Sequence, residues 1–412
     1  MKKIILLLKL ISRSKFIFQT PKEHDLIVFD EVSANDLNLC VSSFNFFILQ
    51  TRFEITNKVF LSYKILKQIL KNYSKGNLFT VYLISLIELI KPKVVITNID
   101  NSYKFSEVAK ILEKKTNFIA IQNSSRHDLL EINYLYNQKK TKYNQLKKYY
   151  IPNLFSFGDY EKELYKQLNI NVKNIYPIGN LRLANYLHYI KSNDSFSEKY
   201  NSDICLVSEA VSPASDKSVK KNLHYSIISQ NCNIEKGFVK LVKYTVKFCM
   251  KNKMKLIIPC KRDKKYTPSA YKREIEYFKR NLKEEEFNFV DKCLLEKDRD
   301  NFSSFRAVHN SKVTVATSTT LLKDKLATGG KILACNLTKE EMYSFPVNGI
   351  CTLSDCTYEE FEKRLLEIYS ISNENYLTKM DKKPDYVMKF DKNRSTINLI
   401  KERLSQLGVN QR

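Results

Sequence analysis

The feature that most constrains this chain is a recurrence. Short β-rich apolar runs alternate with stretches of helical pattern along most of the length. In the first half the apolar runs are "HDLIVFD" (24–30), "KVVITNID" (93–100), "NFIAIQ" (117–122), "NLFSFG" (153–158) and "NIYPIG" (174–179). Between them lie helical patterns such as "FTVYLISLIELI" (79–90) and "FSEVAKILEK" (105–114). A strand that is apolar throughout has both faces buried, which is the condition of a parallel sheet covered by helices on both sides. The alternation therefore predicts a doubly wound α/β domain. A polar stretch without apolar period, "KSNDSFSEKYNSD" (191–203), then reads as a linker. The alternation restarts with "ICLVS" (204–208), "KLIIPC" (255–260), "FNFV" (287–290), "KVTVAT" (312–317), "KILACN" (331–336) and "GICTLS" (349–354), and ends in a helix near 393–407. The expectation is α/β: two Rossmann-like, doubly wound domains.

Composition agrees. With 412 residues, two domains are the natural partition. Only 8 Gly and 9 Pro exclude collagen-like and Pro/Gly-rich disordered classes. The nine Cys contain no CxxC pair, so neither a disulfide framework nor a structural zinc site is indicated. Several fall inside apolar strand runs, as buried thiols do in a reducing compartment. The five His show no HxH or HxxxH spacing, which argues against a metal centre. The apolar start, "MKKIILLLKLISRSKFIF", is broken by Lys9 and too short to span a bilayer. It reads as a strand or short helix, or more sharply as a basic surface anchor. The net charge of +25 is spread along the chain with no nucleic-acid-binding signature, so no nucleic-acid partner is expected. The basic-aromatic stretch 136–150 reads as a surface helix or loop.

In open α/β sheets, ligands bind beyond the carboxyl ends of the strands. In the first half that rule selects Asp30 and Glu31; Asp100, Asn101 and Ser102; Gln122, Asn123, Ser124 and Arg126; and Gly158 and Asp159. In the second half it selects Ser208 and Glu209, Cys260 to Arg262, and Thr317, Ser318, Thr319 and Thr320. "VTVATSTTLLKDKLATGGKILACN" reads as strand, hydroxyl-rich turn, helix, Gly-Gly stop and strand. Free N–H groups and the dipole at such a helix start attract phosphate; an ordinary N-cap would look the same. Asp324, one turn in, is placed to accept ribose hydroxyls. Lys261 and Arg262, just past a strand end, can neutralise a diphosphate or a sugar carboxylate. The charge of "SAYKREIEYFKRNLK" (269–283) reads as a solvated helix face. GxxxxGKS, GxGxxG and GxSxG motifs are missing, which removes P-loop ATPases, the usual dinucleotide fingerprint and α/β-hydrolases.

The run "KPKVVITNIDNSYKFSEVAKILEKKTNFIAIQNSSR" resembles bacterial surface-carbohydrate (O-antigen type) biosynthesis proteins with a GT-B glycosyltransferase fold. In that family one strand ends in Asp-Asn-Ser, matched by Asp100, Asn101 and Ser102. The next ends in Ile-Gln-Asn-Gly-x-Arg, matched by Gln122, Asn123 and Arg126, with Ser124 for Gly. Residues 155–187 resemble the family's Phe-Gly and Gly-Ser-Leu-Arg segment, with Asn180 for Ser. Thr319, Thr320, Leu321, Asp324 and Gly329 fall in register with its donor-binding Ser-Thr-Leu-Gly-x-Glu-Ala-x-x-x-Gly pattern, with Asp for Glu and Leu322 for Gly.

The resemblance covers roughly residues 20–340 and implies two Rossmann-like domains facing a cleft. The acceptor domain would be 1–190, rejoined by the terminal helix at 393–412, and the nucleotide-sugar domain 203–392. It implies a metal-independent, cofactor-free transferase that moves a sugar from a nucleotide sugar (CMP-Kdo-like or a UDP-sugar) to a surface polysaccharide or lipopolysaccharide acceptor, free or lipid-linked. Its place would be the cytoplasm, with a peripheral seat on the anionic inner-membrane surface. The donor set would be Ser318, Thr319, Thr320, Asp324, Lys261, Arg262 and Ser208. The acceptor set would be Asn101, Ser102, Gln122, Asn123 and Arg126. Transfer with inversion needs a general base, for which Asp100, Asp30 and Glu209 are the candidates. Two other readings remain: a polyol-phosphate transferase or sugar-nucleotide epimerase of the same fold, and a non-catalytic basic nucleic-acid or membrane-surface module.

Overall fold

The structure is a computed structural model that describes residues 12–52, 56–126, 149–192, 198–209, 232–298, 300 and 302–411. Residues 1–11 of the apolar start and residues 136–148 of the basic-aromatic stretch lie outside them. The chain divides into two compact units. The first comprises Met1–Asn123, Lys140–Asn185 and Phe390–Arg412; the second comprises Ser124–Lys139 and Tyr186–Lys389.

In the first unit a six-stranded sheet has the order β3-β2-β5-β6-β7-β8, every pair parallel. Its strands are β2 (Leu26–Phe29), β3 (Phe46–Leu49), β5 (Val94–Thr97), β6 (Asn117–Ile121), β7 (Tyr150–Ser156) and β8 (Asn171–Pro177). All four residues of β2 and all four of β5 are buried, as a sheet covered on both faces requires. Helices α1 (Ser33–Val41), α2 (Tyr63–Asn72), α3 (Leu78–Ile90), α4 (Tyr103–Leu112) and α5 (Tyr160–Gln167) belong to this unit, and α6 (Leu181–Ser192) starts in it and runs past its limit at Asn185. Capping side chains fix several starts: Asn77 accepts the Thr80 N–H at α3 and Ser102 the Phe105 N–H at α4. A separate two-stranded parallel sheet joins β1 (Lys15–Ile17) to β4 (Lys58–Phe60). The last helix, α14 (Thr396–Gln406), buries Ile397, Ile400 and Leu404 in the same core as Leu26, Val28, Leu37 and Val94.

The second unit has the sheet order β11-β10-β9-β12-β13-β14, again all parallel. Its strands are β9 (Ser202–Leu206), β10 (Leu256–Pro259), β11 (Leu294–Leu295), β12 (Ser311–Ala316), β13 (Lys331–Asn336) and β14 (Thr352–Ser354). Counted along the chain within the unit this is 3-2-1-4-5-6, the order of a dinucleotide-binding Rossmann sheet. Its described helices are α7 (Cys232–Lys251), α8 (Pro268–Asn281), α9 (Glu284–Cys293), α10 (Ser303–Asn310), α11 (Thr320–Ala327), α12 (Tyr358–Ser370) and α13 (Asn373–Thr378). The fold class is therefore α/β, with two doubly wound Rossmann-like units.

One expected strand is corrected. "FNFV" (287–290) lies inside α9. Glu284, Glu285 and Glu286 fill that helix's first turn, where its dipole favours acids, and Glu286 accepts the Lys283 N–H at 2.9 Å. The edge strand is instead the two-residue β11 that follows.

Of the cysteines, Cys40, Cys205, Cys249, Cys260, Cys335, Cys351 and Cys356 are buried free thiols. Among the described residues, no helix is long and apolar enough to cross a membrane.

Candidate functional site

The strand order of the second unit reverses between β9 and β12, and such a switch point opens a crevice at the carboxyl ends of the two strands. The turn after β12 leaves backbone N–H groups without ladder partners. Two of them converge on one carboxylate that follows β9: the Thr317 and Ser318 N–H groups donate to Glu209 Oε2 and Oε1 at 2.6 and 3.2 Å. Burial pushes the Glu209 carboxyl above its ordinary range, against the pull of these two N–H groups and of Lys261. Beside it, a second carboxylate gathers the end of β10. Glu274, on α8, accepts the N–H groups of Lys261 and Arg262 at 2.9 Å each and the Ser208 hydroxyl at 2.5 Å. Four backbone N–H groups at adjacent strand ends are thus held on carboxylate oxygens, and burial, aided by Arg262, pushes the pKa of the neighbouring Lys261 ammonium down.

Helix α11 continues this edge. Thr319 is its N-cap residue, though its side chain makes no capping bond. The Thr320 hydroxyl accepts the Ser125 N–H at 2.8 Å and donates to Ser125 Oγ at 3.1 Å, both within the second unit. Asp324 is fully buried, so it does not stand open to a ribose as the sequence pattern suggested. Its neighbour Lys325 is also buried and donates to the His309 and Ser311 carbonyls at 3.0 and 2.9 Å; burial pushes its pKa down to about 8.

In the first unit the order reverses between β2 and β5. Asp30 follows β2 with φ of 85°, a conformation that costs a non-glycine residue energy and is concentrated at functional sites. Its carboxylate accepts from the Val32 N–H, the Thr51 hydroxyl and Arg52 Nε at 2.9, 3.2 and 2.8 Å. Asp100, after β5, is 1% exposed. It accepts from the Tyr165 hydroxyl at 2.7 Å and the Asn123 N–H at 3.4 Å, tying β5 to β6 and α5. Gln122 is buried between the Phe157 N–H, which it accepts at 3.0 Å, and Glu161, to which it donates at 3.2 Å. Ser102 is a helix cap, and Asn101 beside it is half-buried. Arg126 is buried, donates to Ser124 at 2.7 Å and is grouped with the second unit.

Three features were missed by reading the sequence. Glu274 reads as part of a solvated face and is instead 4% exposed, the acceptor at the hub of the β10 end. Glu161 has no motif; its only signal is its place three residues after Gly158. Asp298 and Asp300 form an Asp-x-Asp pair that one arginine holds. Asp298 accepts from Lys199 and Tyr200 and pairs with Arg306 at 3.1 Å; Asp300 accepts the Phe302 N–H and pairs with the same arginine.

The chain matches no family model and no curated protein. Among solved structures it is similar to the UDP-GlcNAc 2-epimerase of Methanocaldococcus jannaschii in complex with UDP-GlcNAc and UDP. The identity is 12%, over 92% of this chain and 99% of that one, with a TM-score of 0.48. It is also similar to a glycosyltransferase of Rickettsia africae (11% identity, 94% and 93% covered, TM-score 0.37). A third is Arabidopsis thaliana UGT89C1 complexed with UDP-L-rhamnose (11%, 94% and 100%, TM-score 0.43). Likenesses this distant assign neither an activity nor a residue.

Proposed function

We propose that the protein is a glycosyltransferase that moves a sugar from a nucleotide-activated donor to a surface-glycan acceptor. The observation that carries this reading is the Thr317–Ser318 pair of N–H groups, which converge on the Glu209 carboxylate at the switch point of a Rossmann-ordered sheet with Lys261 beside it. Such a site suits a diphosphate, because fixed N–H dipoles stabilise negative charge without reorganising as it develops on the leaving group. The donor would be a UDP-sugar or a CMP-activated acidic sugar. Ser318 and Thr319, with Lys261 and Arg262, would take the phosphate oxygens, and Ser208 would border them. These groups, rather than a metal, would neutralise the leaving group.

For the base we favour Asp30. It follows β2 at the first unit's switch point in a strained conformation, whereas Asp100 accepts from Tyr165 and Asn123 and so ties β5 to β6 and α5. The acceptor would be a growing surface polysaccharide or lipopolysaccharide.

The test is a thermal-shift screen with UDP, CMP, GDP and CDP, followed by turnover assays on sugars of whichever nucleotide stabilises, with and without EDTA. A ligand that binds only the folded state must raise the melting temperature. We expect one nucleotide to do so, and Asp30→Asn to abolish transfer while keeping that shift. A chain that no nucleotide stabilises, and that turns over no donor, is not this enzyme.

A further inference from the structure

Helix α2 turns Ile65 and the half-buried Ile69 inward, yet presents a second apolar arc to solvent. Its inward side carries Gln68 and Asn72, clamped by hydrogen bonds to Glu88 of α3 at 2.6 and 2.7 Å, with Asn72 also donating to Ser85 at 3.2 Å. Ile65 is its one fully buried apolar side chain. Its outward side carries Tyr63, Leu66 and Leu70, continued by Tyr73 in the turn that follows, at 80, 47, 75 and 73% exposure. At about 100° per residue these four share an arc of roughly 80°. Lys64, Lys67 and Lys71 fill the neighbouring sector and are exposed. None of the three forms an ion pair among the described residues. The polar clamp on α3 fixes the rotation of the helix, so the apolar arc cannot turn inward.

Phe18 extends the surface. It is 75% exposed and follows β1, whose Ile17 carbonyl accepts the Leu61 N–H at 2.8 Å; Thr20 bonds to Ser62, the N-cap of α2, at 2.8 Å. No Asp or Glu occurs between Glu54 and Glu88.

We propose that α2 with Phe18 is a membrane-docking surface that takes an anionic lipid bilayer. Exposed leucines and tyrosines beside a lysine row suit a helix lying in the headgroup boundary, with apolar side chains inserted and ammonium groups against lipid phosphates. Charge selects this occupant over a second copy of the chain, because self-association through this face would bring like-charged lysines together. Nucleic acid would use the lysines and leave the apolar arc in water. The inference does not depend on the chemistry proposed above, since it concerns where the protein sits and not what it transfers.

The test is flotation of the full chain with vesicles of phosphatidylcholine alone and with added phosphatidylglycerol, at low and high salt. We expect binding only with the anionic lipid, weakened by salt. Leu66→Ser with Leu70→Ser should lower the partition coefficient at least about tenfold. Lys64→Gln, Lys67→Gln and Lys71→Gln together should lower it by about a hundredfold. The substituted side chains are exposed, and unchanged melting would confirm folding; if the serine variant melts early, the glutamine variant decides. Absence of wild-type binding, or binding that survives both variants, overturns the proposal. So does a concentration-dependent dimer that the serine variant dissolves without any vesicle binding, which would make a second copy the occupant.

Discussion

Glu209 sits on the N–H groups that the proposed function assigns to a phosphate. Its carboxylate satisfies the Thr317 and Ser318 donors in the free protein, so an incoming diphosphate must displace it. Glu209→Gln keeps the shape and one acceptor oxygen but removes the charge that competes. The variant should bind the stabilising nucleotide about tenfold more tightly, the equivalent of about 1.4 kcal/mol. Calorimetry showing weaker binding would instead make Glu209 a ligand contact. A second residue-scale effect concerns His309. Its Nε2 is closed off from solvent without a hydrogen-bond partner among the described residues, and its ring stacks on Tyr186 at 5.4 Å. Burial, aided by Lys325, holds its pKa down to about 3 from 6.5. The unfolded chain therefore binds a proton that the folded chain refuses across that window, so stability is full above pH 6.5 and falls as pH is lowered toward 3. Between pH 7 and 5 the loss from this group is at most about 2 kcal/mol. Urea denaturation of His309→Gln should show a flatter acid limb; an unchanged slope would assign the acid sensitivity elsewhere. Neither effect was legible in the sequence. His309 is an isolated histidine there, and Glu209 is one of several strand-end acids whose partners arrive from residues about a hundred positions away.

At the scale of elements, legibility followed burial pattern. The runs at 24–30, 93–100 and 312–317 are rich in β-branched and aromatic residues and fall within an alternation with helices, so β2, β5 and β12 appeared where expected. "FNFV" is apolar at three of four positions too, yet four residues do not distinguish a strand from one turn of a helix face; the three glutamates before it settled the matter. Glu274 was misread for the converse reason. Its helix is charged nearly throughout, and periodicity cannot say which charge turns inward to meet the β10 end. Gly237 shows how packing reverses a propensity. In the interior of α7, Gly→Ala would ordinarily stabilise by about 1 kcal/mol. Here an added Cβ would lie 2.8 Å from the Leu337 carbonyl carbon and the Thr338 Cα. Backbone cannot give way as a side chain can, so Gly237→Ala should destabilise the protein by about 1–3 kcal/mol. A raised melting temperature would show that helix and loop part freely.

Each unit is built on a six-stranded parallel sheet with its own switch point, and the core of the first is completed by the terminal helix. Helix α14 places Ile397, Ile400 and Leu404 in the core of β2, β5 and α1. Lys93 donates to the Gly408 carbonyl at 2.6 Å and the Asn410 N–H donates to Asp25 at 3.2 Å. More than three hundred residues thus separate the two parts of one core, and the first unit cannot finish folding until the last residues are present. Sequence periodicity alone shows a terminal helix; where it packs is set by which core has an uncovered apolar face. The energetic consequence is specific. Ile400 is fully buried, and truncating it leaves a cavity that the surrounding strands can only partly close. Ile400→Ala should cost about 2–5 kcal/mol, seen as a lower urea midpoint. Because Ile400 belongs to the first unit while Thr317, Ser318 and Lys261 belong to the second, nucleotide affinity below the transition should be unchanged. If Ile400→Ala lowers affinity in proportion to stability, the nucleotide draws on the first unit as well, and the assignment of donor binding to the second unit's residues alone fails.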